Sequence, residues 1–143
     1  MIKLNNYRYA LFLSLLLSNS FIIPKIISTI ENEDQFLSLI DQDKPTIIMG
    51  SMETCPHCKI ITPEFETLSK KHKSISFVKV NGLRTKMHEH IKNESLKQGT
   101  SFKIIGYPSF AFIKNKKIVY VLIGGDPKKL KDIINQFLTG NLE

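Results

Sequence analysis

The chain has no tryptophan, only two cysteines and no internal repeat or low-complexity linker. Without linkers or repeats, its 143 residues make one domain, and 42% hydrophobic against 23% charged residues excludes a disordered chain. Concentrated positive charge is also lacking. Of the formal +7, Lys3 and Arg8 supply two units, which leaves +5 for the remainder. Its lysines sit in short clusters (Lys70-Lys71-x-Lys73, Lys116-Lys117, Lys128-Lys129-x-Lys131) with neither arginine forks nor interleaved aromatics. That pattern predicts a solvated basic face and no nucleic-acid partner.

What is present begins with a leader. Residues 1–20 hold a basic stretch (Lys3, Arg8), an apolar run from Ala10 to Leu17, and Ser18-Asn19-Ser20 with small residues placed for cleavage. This predicts a secretory signal peptide. Because Phe21-Ile22-Ile23 and Ile26-Ile27 continue the apolar character, the alternative is an uncleaved N-terminal membrane anchor, Tyr7 to Ile23 coming close to the shortest span. Either form exports the rest. In a bacterium the destination is the periplasm or the outer face of the membrane, and in a eukaryote the endoplasmic reticulum lumen or the medium; disulfide chemistry is allowed in all of them.

From Ser28 the chain reads as extended and then helical, with Glu31, Glu33 and Asp34 at the helix start and Phe36, Leu37 and Ile40 spaced for one buried face. Thr46-Ile47-Ile48-Met49 is the unbroken apolar run of a strand covered on both faces. Next, Cys58, Ile61, Phe65 and Leu68 recur at helical spacing up to about Lys73, interrupted by Pro63. Ile75 to Val80 reads as a strand, and residues 84–98 as a weak helix on the surface, with Met87 and Ile91 one turn apart. Ser109–Ile113 and Ile118–Ile123 form a hairpin that ends at Gly124-Gly125. Asp126-Pro127 caps a closing helix, with Leu130, Ile133, Ile134, Phe137 and Leu138 on its apolar face and a stop near Gly140. The order predicts an α/β domain with a central mixed sheet flanked by helices.

The two cysteines stand in Thr54-Cys55-Pro56-His57-Cys58-Lys59. Such a pair is a redox dithiol, half of a zinc site or a small structural loop. As a staple it closes so short a loop that chain entropy supplies only roughly 2 kcal/mol. Zinc needs more ligands than the other histidines offer, since His88 and His90 point to different helix faces; His72, His88 and His90 are expected to be solvated, and no metal site is predicted. As a dithiol the pair is well placed. Cys55 sits where a helix begins, and unpaired N–H groups and the helix dipole favour its thiolate; His57 adds a cation or a donor, and Cys58, one turn in, is buried.

Taken together, residues 28–143 resemble the thioredoxin superfamily: a buried strand leading into Cys55-Pro56-His57-Cys58-Lys59, Pro63 as the helix-kinking proline, Lys79 on the next inner strand, and Gly106-Tyr107-Pro108-Ser109 in the place of the cis-proline loop. The resemblance implies a thioredoxin fold and a thiol–disulfide oxidoreductase. Cys55 would attack, Cys58 resolve, and Tyr107, cis-Pro108 and Ser109 would border the groove for an extended protein substrate. Its partners would be protein thiols or disulfides and a redox partner protein, with no cofactor beyond the Cys55–Cys58 pair.

Two departures bear on direction. Met49 stands where thioredoxins carry a buried aspartate, and Thr54 where they carry tryptophan. Without that aspartate, the proton of Cys58 is left to water, Lys79 or Glu53. Pro56-His57 is the dipeptide of the DsbA-type oxidases of the bacterial periplasm. The expectation is therefore an oxidising or isomerising enzyme with a potential above about −200 mV. The alternatives are a thioredoxin-type reductase fed by a membrane electron donor, or a binding or metal-relay module on the same fold.

Overall fold

The computed structural model describes residue 27 and residues 29–142. The predicted signal peptide or anchor of residues 1–20 lies outside them. In chain order the elements are β1 (Thr29–Ile30), α1 (Glu33–Ile40), β2 (Thr46–Ser51), α2 (Pro56–Lys71), β3 (Ser76–Asn81), α3 (Met87–Lys97), β4 (Ser109–Lys114), β5 (Lys117–Ile123) and α4 (Pro127–Thr139). The strands form one sheet in the order β1-β3-β2-β4-β5, parallel from β1 through β3 to β2 and antiparallel from β2 through β4 to β5.

β2 lies at the centre and is buried at every residue, which is why its sequence is apolar without alternation. The period of two then divides the core. Ile47 and Met49 join Phe110, Phe112 and Leu122 beneath α2 and α4, while Ile48, Val80, Ala111 and Ile113 pack under α1 and α3. The ring of Phe65 touches those of Phe77 and Phe110, with ring centroids 5.2 Å and 5.7 Å apart. Burying such rings stabilises the domain by about 3 kcal/mol each.

Local chemistry sets the element ends. Asn32 caps α1, its Oδ1 accepting the N–H groups of Asp34 at 2.8 Å and Gln35 at 3.2 Å. The β4–β5 turn places Asn115 and Lys116 at φ of 52° and 62°, the handedness a two-residue hairpin requires. Asp126 caps α4, and Gly140 closes it at φ 77° with a bond to the Gln136 carbonyl.

The expectations for α1 and α3 need correction. In α1 it is Leu39 that is buried beside Phe36 and Ile40, while Leu37 is exposed; the helix is rotated so that its stripe follows the third and fourth residues after Phe36. The helix read over 84–98 begins only at Met87, because Asn81 first caps a turn through Leu83 and Arg84. Nor is α3 a plain surface helix. Met87, Ile91 and Ser95 are fully buried, and His90, expected to be solvated, meets Glu33 Oε1 at 2.7 Å and stacks against Phe36.

Candidate active site

β2 delivers the chain to one end of the sheet, and a turn closed by Cys55 N–H to the Met52 carbonyl brings it into α2. Cys55 is the N-cap of that helix, with extended backbone, and Pro56 takes the first helical position, where a missing N–H costs nothing. The Sγ of Cys55 replaces the usual capping oxygen. It accepts the Cys58 N–H at 3.1 Å, while no acidic residue stands in the first turn to oppose a negative charge there. Sixteen residues of helix therefore point their positive end at this sulfur.

Cys55 and Cys58 are joined as a disulfide, their Cα atoms 5.3 Å apart. Cys55 retains 6% of its surface and Cys58 only 2%. An incoming thiolate thus meets Cys55 first, and Cys58 is the thiol left to resolve. His57 is exposed in the same first turn.

Facing the dithiol is the loop before β4. The Tyr107–Pro108 bond is cis, and the Tyr107 carbonyl lies 3.6 Å from Cys55 Sγ, placed to accept from the thiol when the pair is reduced. Pro108 is fixed from the other side, its carbonyl accepting the Gly124 N–H at 2.8 Å. Gly125 packs so closely that a Cβ on it would come 3.3 Å from Pro108 Cγ and 3.5 Å from the His57 carbonyl. The glycine pair thus ties the hairpin to both halves of the site.

The family model named Thioredoxin matches residues 27–136. The chain belongs to the thioredoxin family. It is 29% identical over 112 residues to thioredoxin from Malassezia sympodialis, covering 77% of this chain and 97% of that one. Thioredoxin H9 from Arabidopsis thaliana is 28% identical over 114 residues, covering 79% of this chain and 74% of the relative. Among solved structures, that of Plasmodium falciparum thioredoxin superposes with a TM-score of 0.62 at 26% identity, covering 77% of this chain and 98% of that one. The fold is a thioredoxin fold and the activity is that of a thiol–disulfide oxidoreductase acting on protein thiols or disulfides.

Within that thioredoxin frame, the predicted site residues separate. Cys55, Pro56, His57, Cys58, Pro108 and the backbone of Tyr107 meet at one end of the sheet. Lys79 is partly buried opposite Met49 in the β2–β3 register, on the face that carries Cys58, and has no ion-pair partner among the described residues. Glu53 stands at the surface, 73% exposed, 3.6 Å from Arg84. Two side chains expected along the groove are elsewhere. Ser109 is fully buried, its Oγ without a hydrogen-bond partner among the described residues, because residue 109 points to the α1/α3 side of β4. The Tyr107 ring is also turned inward, packing against both cores, and only its carbonyl borders Cys55.

Sequence reasoning overlooked three exposed apolar residues. Ile60, Leu83 and Ile105 are 68%, 60% and 75% exposed and come from the segments that begin α2, follow β3 and precede cis-Pro108. Their signal was faint, since single exposed apolar residues are ordinary and only the fold shows that these three belong to neighbouring segments. Among the described residues no group of three or more His, Cys, Asp or Glu is arranged to hold a metal ion.

Proposed function

We propose that this oxidoreductase works outside the cytosol and toward the oxidising or isomerising end, transferring its Cys55–Cys58 disulfide to protein dithiols. The observation that carries the direction is the cap of α2, where the Cys58 N–H meets Cys55 Sγ at 3.1 Å in a first turn that holds His57 and no carboxylate. Every one of those features favours a thiolate on Cys55 once the pair is reduced, and stabilising the reduced form makes the disulfide a stronger oxidant. Between a thioredoxin at about −270 mV and a DsbA at about −120 mV lie about 7 kcal/mol, and each step of about 1.4 kcal/mol in thiolate stabilisation moves the pair about 30 mV along that scale.

The reaction conserves atoms and electrons. A substrate thiolate attacks Cys55 Sγ, the Cys55–Cys58 bond breaks, and Cys58 takes up a proton. The second substrate thiolate attacks the substrate sulfur of the mixed disulfide, Cys55 leaves as thiolate, and the substrate is oxidised by two electrons as the enzyme gains them. The backbone of the loop before β4 is available to pair with an extended polypeptide, and exposed Leu83 and Ile105 lie on the two segments that meet where Tyr107 packs over Gly82.

A second reading is that of a reductase, and it is favoured by the relatives named above, which are themselves thioredoxins. Equilibration of the pair against glutathione separates the two. A potential above about −200 mV is expected, and one near −270 mV sinks the oxidising direction. Export is supported by Lys3, Arg8 and the apolar run after them. Fusing residues 1–27 to a reporter that is active only after translocation tests it, and an inactive reporter retained in the cytosol rejects it.

A further inference from the structure

The ring of Tyr107 occupies a slot that exists only because two residues lack a side chain. A Cβ on Gly82 would come 2.2 Å from its Cζ and 2.4 Å from both Cε1 and Oη. One on Gly50 would come 2.8 Å from Cε1 and 2.5 Å from Met87 Sδ. No carbon tolerates such distances, so ring and sulfur fill the space that any other residue at 50 or 82 would claim. Gly50 lies near the end of β2, Gly82 directly follows β3, and Met87, fully buried, opens α3. Three elements thus converge on one ring.

The slot selects for the ring and not for the hydroxyl, because Tyr107 Oη is buried with no hydrogen-bond partner among the described residues. Burial also pushes the phenol up from its ordinary pKa, so it offers no easily lost proton. What the ring does hold is its own backbone, whose carbonyl is 3.6 Å from Cys55 Sγ and whose next bond is the cis link to Pro108.

We propose that Tyr107 is a positioning residue whose ring, keyed into the socket of Gly50, Gly82 and Met87, holds the cis-proline loop against Cys55, so that α3 sets the substrate-facing loop from behind. The proposal rests on the oxidoreductase activity and is independent of its direction. A ring that merely filled the core would lower stability when removed, yet leave substrate affinity alone in the molecules that remain folded.

Insulin disulfide turnover, read as separate KM and kcat values well below each variant's Tm, distinguishes these roles. Tyr107→Val is expected to raise KM about tenfold with kcat changed less than about threefold, and Tyr107→Phe, which keeps the ring, to restore KM to within about twofold of wild type. Gly82→Ala, which expels the ring, should raise KM as much as Tyr107→Val. In the Tyr107→Val background the same alanine should add less than about twofold, because the ring it displaces is already gone. Unchanged KM in Tyr107→Val, or full additivity of the two substitutions, overturns the socket. Should the valine variant fail to fold, Tyr107→Leu with Gly82→Ala carries the same cycle. A wild-type protein without turnover would instead overturn the underlying activity, and the reduction potential, measured in parallel, reports on direction alone.

Discussion

Under α2 and α4 the sheet presents Cys55, Cys58, Met49 and a chain of phenylalanines; under α1 and α3 it presents Ile48, Val80 and, at the same end as the dithiol, Gly50, Ser109 and the ring of Tyr107. Both faces are closely packed, but they contribute different things. The first carries the reacting sulfurs, and its packing fixes how far each is exposed. The second touches no reacting atom and acts on the site through the backbone of the cis-proline loop. The lesson is that one loop separates chemistry from its geometrical support, and the two are separable by substitution.

The contrast breaks most completely at the sulfurs. Cys55→Ser should abolish insulin or scrambled-substrate turnover by several orders of magnitude while leaving urea unfolding of the reduced protein almost unmoved. Cys58→Ser should instead accumulate a mixed disulfide through Cys55, visible by mass. A cellular phenotype left unaffected by Cys55→Ser would move the protein to the class of binding modules.

Removing one ring from each face asks whether their structural shares are alike. Phe65→Ala and Phe36→Ala each empty a fully buried site, and each should cost about 3–5 kcal/mol in urea unfolding. A loss below about 1 kcal/mol for Phe36→Ala would show that the α1/α3 face is a covering more than a core.

Met49 offers a sharper comparison. Met49→Asp would place a carboxylate on the chemical face beside partly buried Lys79. It should cost about 2 kcal/mol, since a buried polar group replaces a well-packed apolar one, while speeding resolution of the mixed disulfide by giving Cys58 a nearby proton acceptor. Stopped-flow release of substrate reads the rate, and an unchanged rate would leave Lys79 or water as the acceptor. On the opposite face, Ser109→Ala removes a buried hydroxyl that has no partner among the described residues, so stability should hold or rise by up to about 1 kcal/mol. Ser51→Ala, whose Oγ donates to the Val80 carbonyl at 3.3 Å, should lose about that much.

How much of this could be read from the chain follows the same division. The chemical face was legible because its signals are local: an unbroken apolar run for β2, helical spacing through Phe65, a cysteine pair at a helix start, and Asp126-Pro127 for α4. The other face was not. Gly50 and Gly82 look like ordinary loop or strand glycines until Tyr107, far along the sequence, is seen to fill the space they leave. The burial of α3 was missed because only Met87, Ile91 and Ser95 face inward among polar neighbours, and a buried serine weakens the periodicity. Leu37 was expected on the buried face of α1, but it lies nearly opposite Leu39, which stands three residues after Phe36 and so falls on the i, i+3, i+4 stripe.

The mildest effect expected lies at the edge of the second face, where Glu33 ties α1 to α3. Its carboxylate meets Lys86 Nζ at 2.9 Å and His90 Nε2 at 2.7 Å. The hydrogen bond from Lys86, and after it that from His90, hold Glu33 below its ordinary pKa of 4.5. A carboxyl whose folded pKa is depressed adds stability that is present above the unfolded value and lost as pH falls through the folded one. Glu33→Gln, which keeps the shape, should therefore flatten the acid limb of stability below pH 4.5 and lower stability slightly at neutral pH. The site is exposed, so salt should erase much of the difference. If the acid limb keeps its slope in Glu33→Gln, the α1–α3 tie is held by Phe36, Ile91 and Met87 alone, and the second face is as apolar in its energetics as it is in its packing.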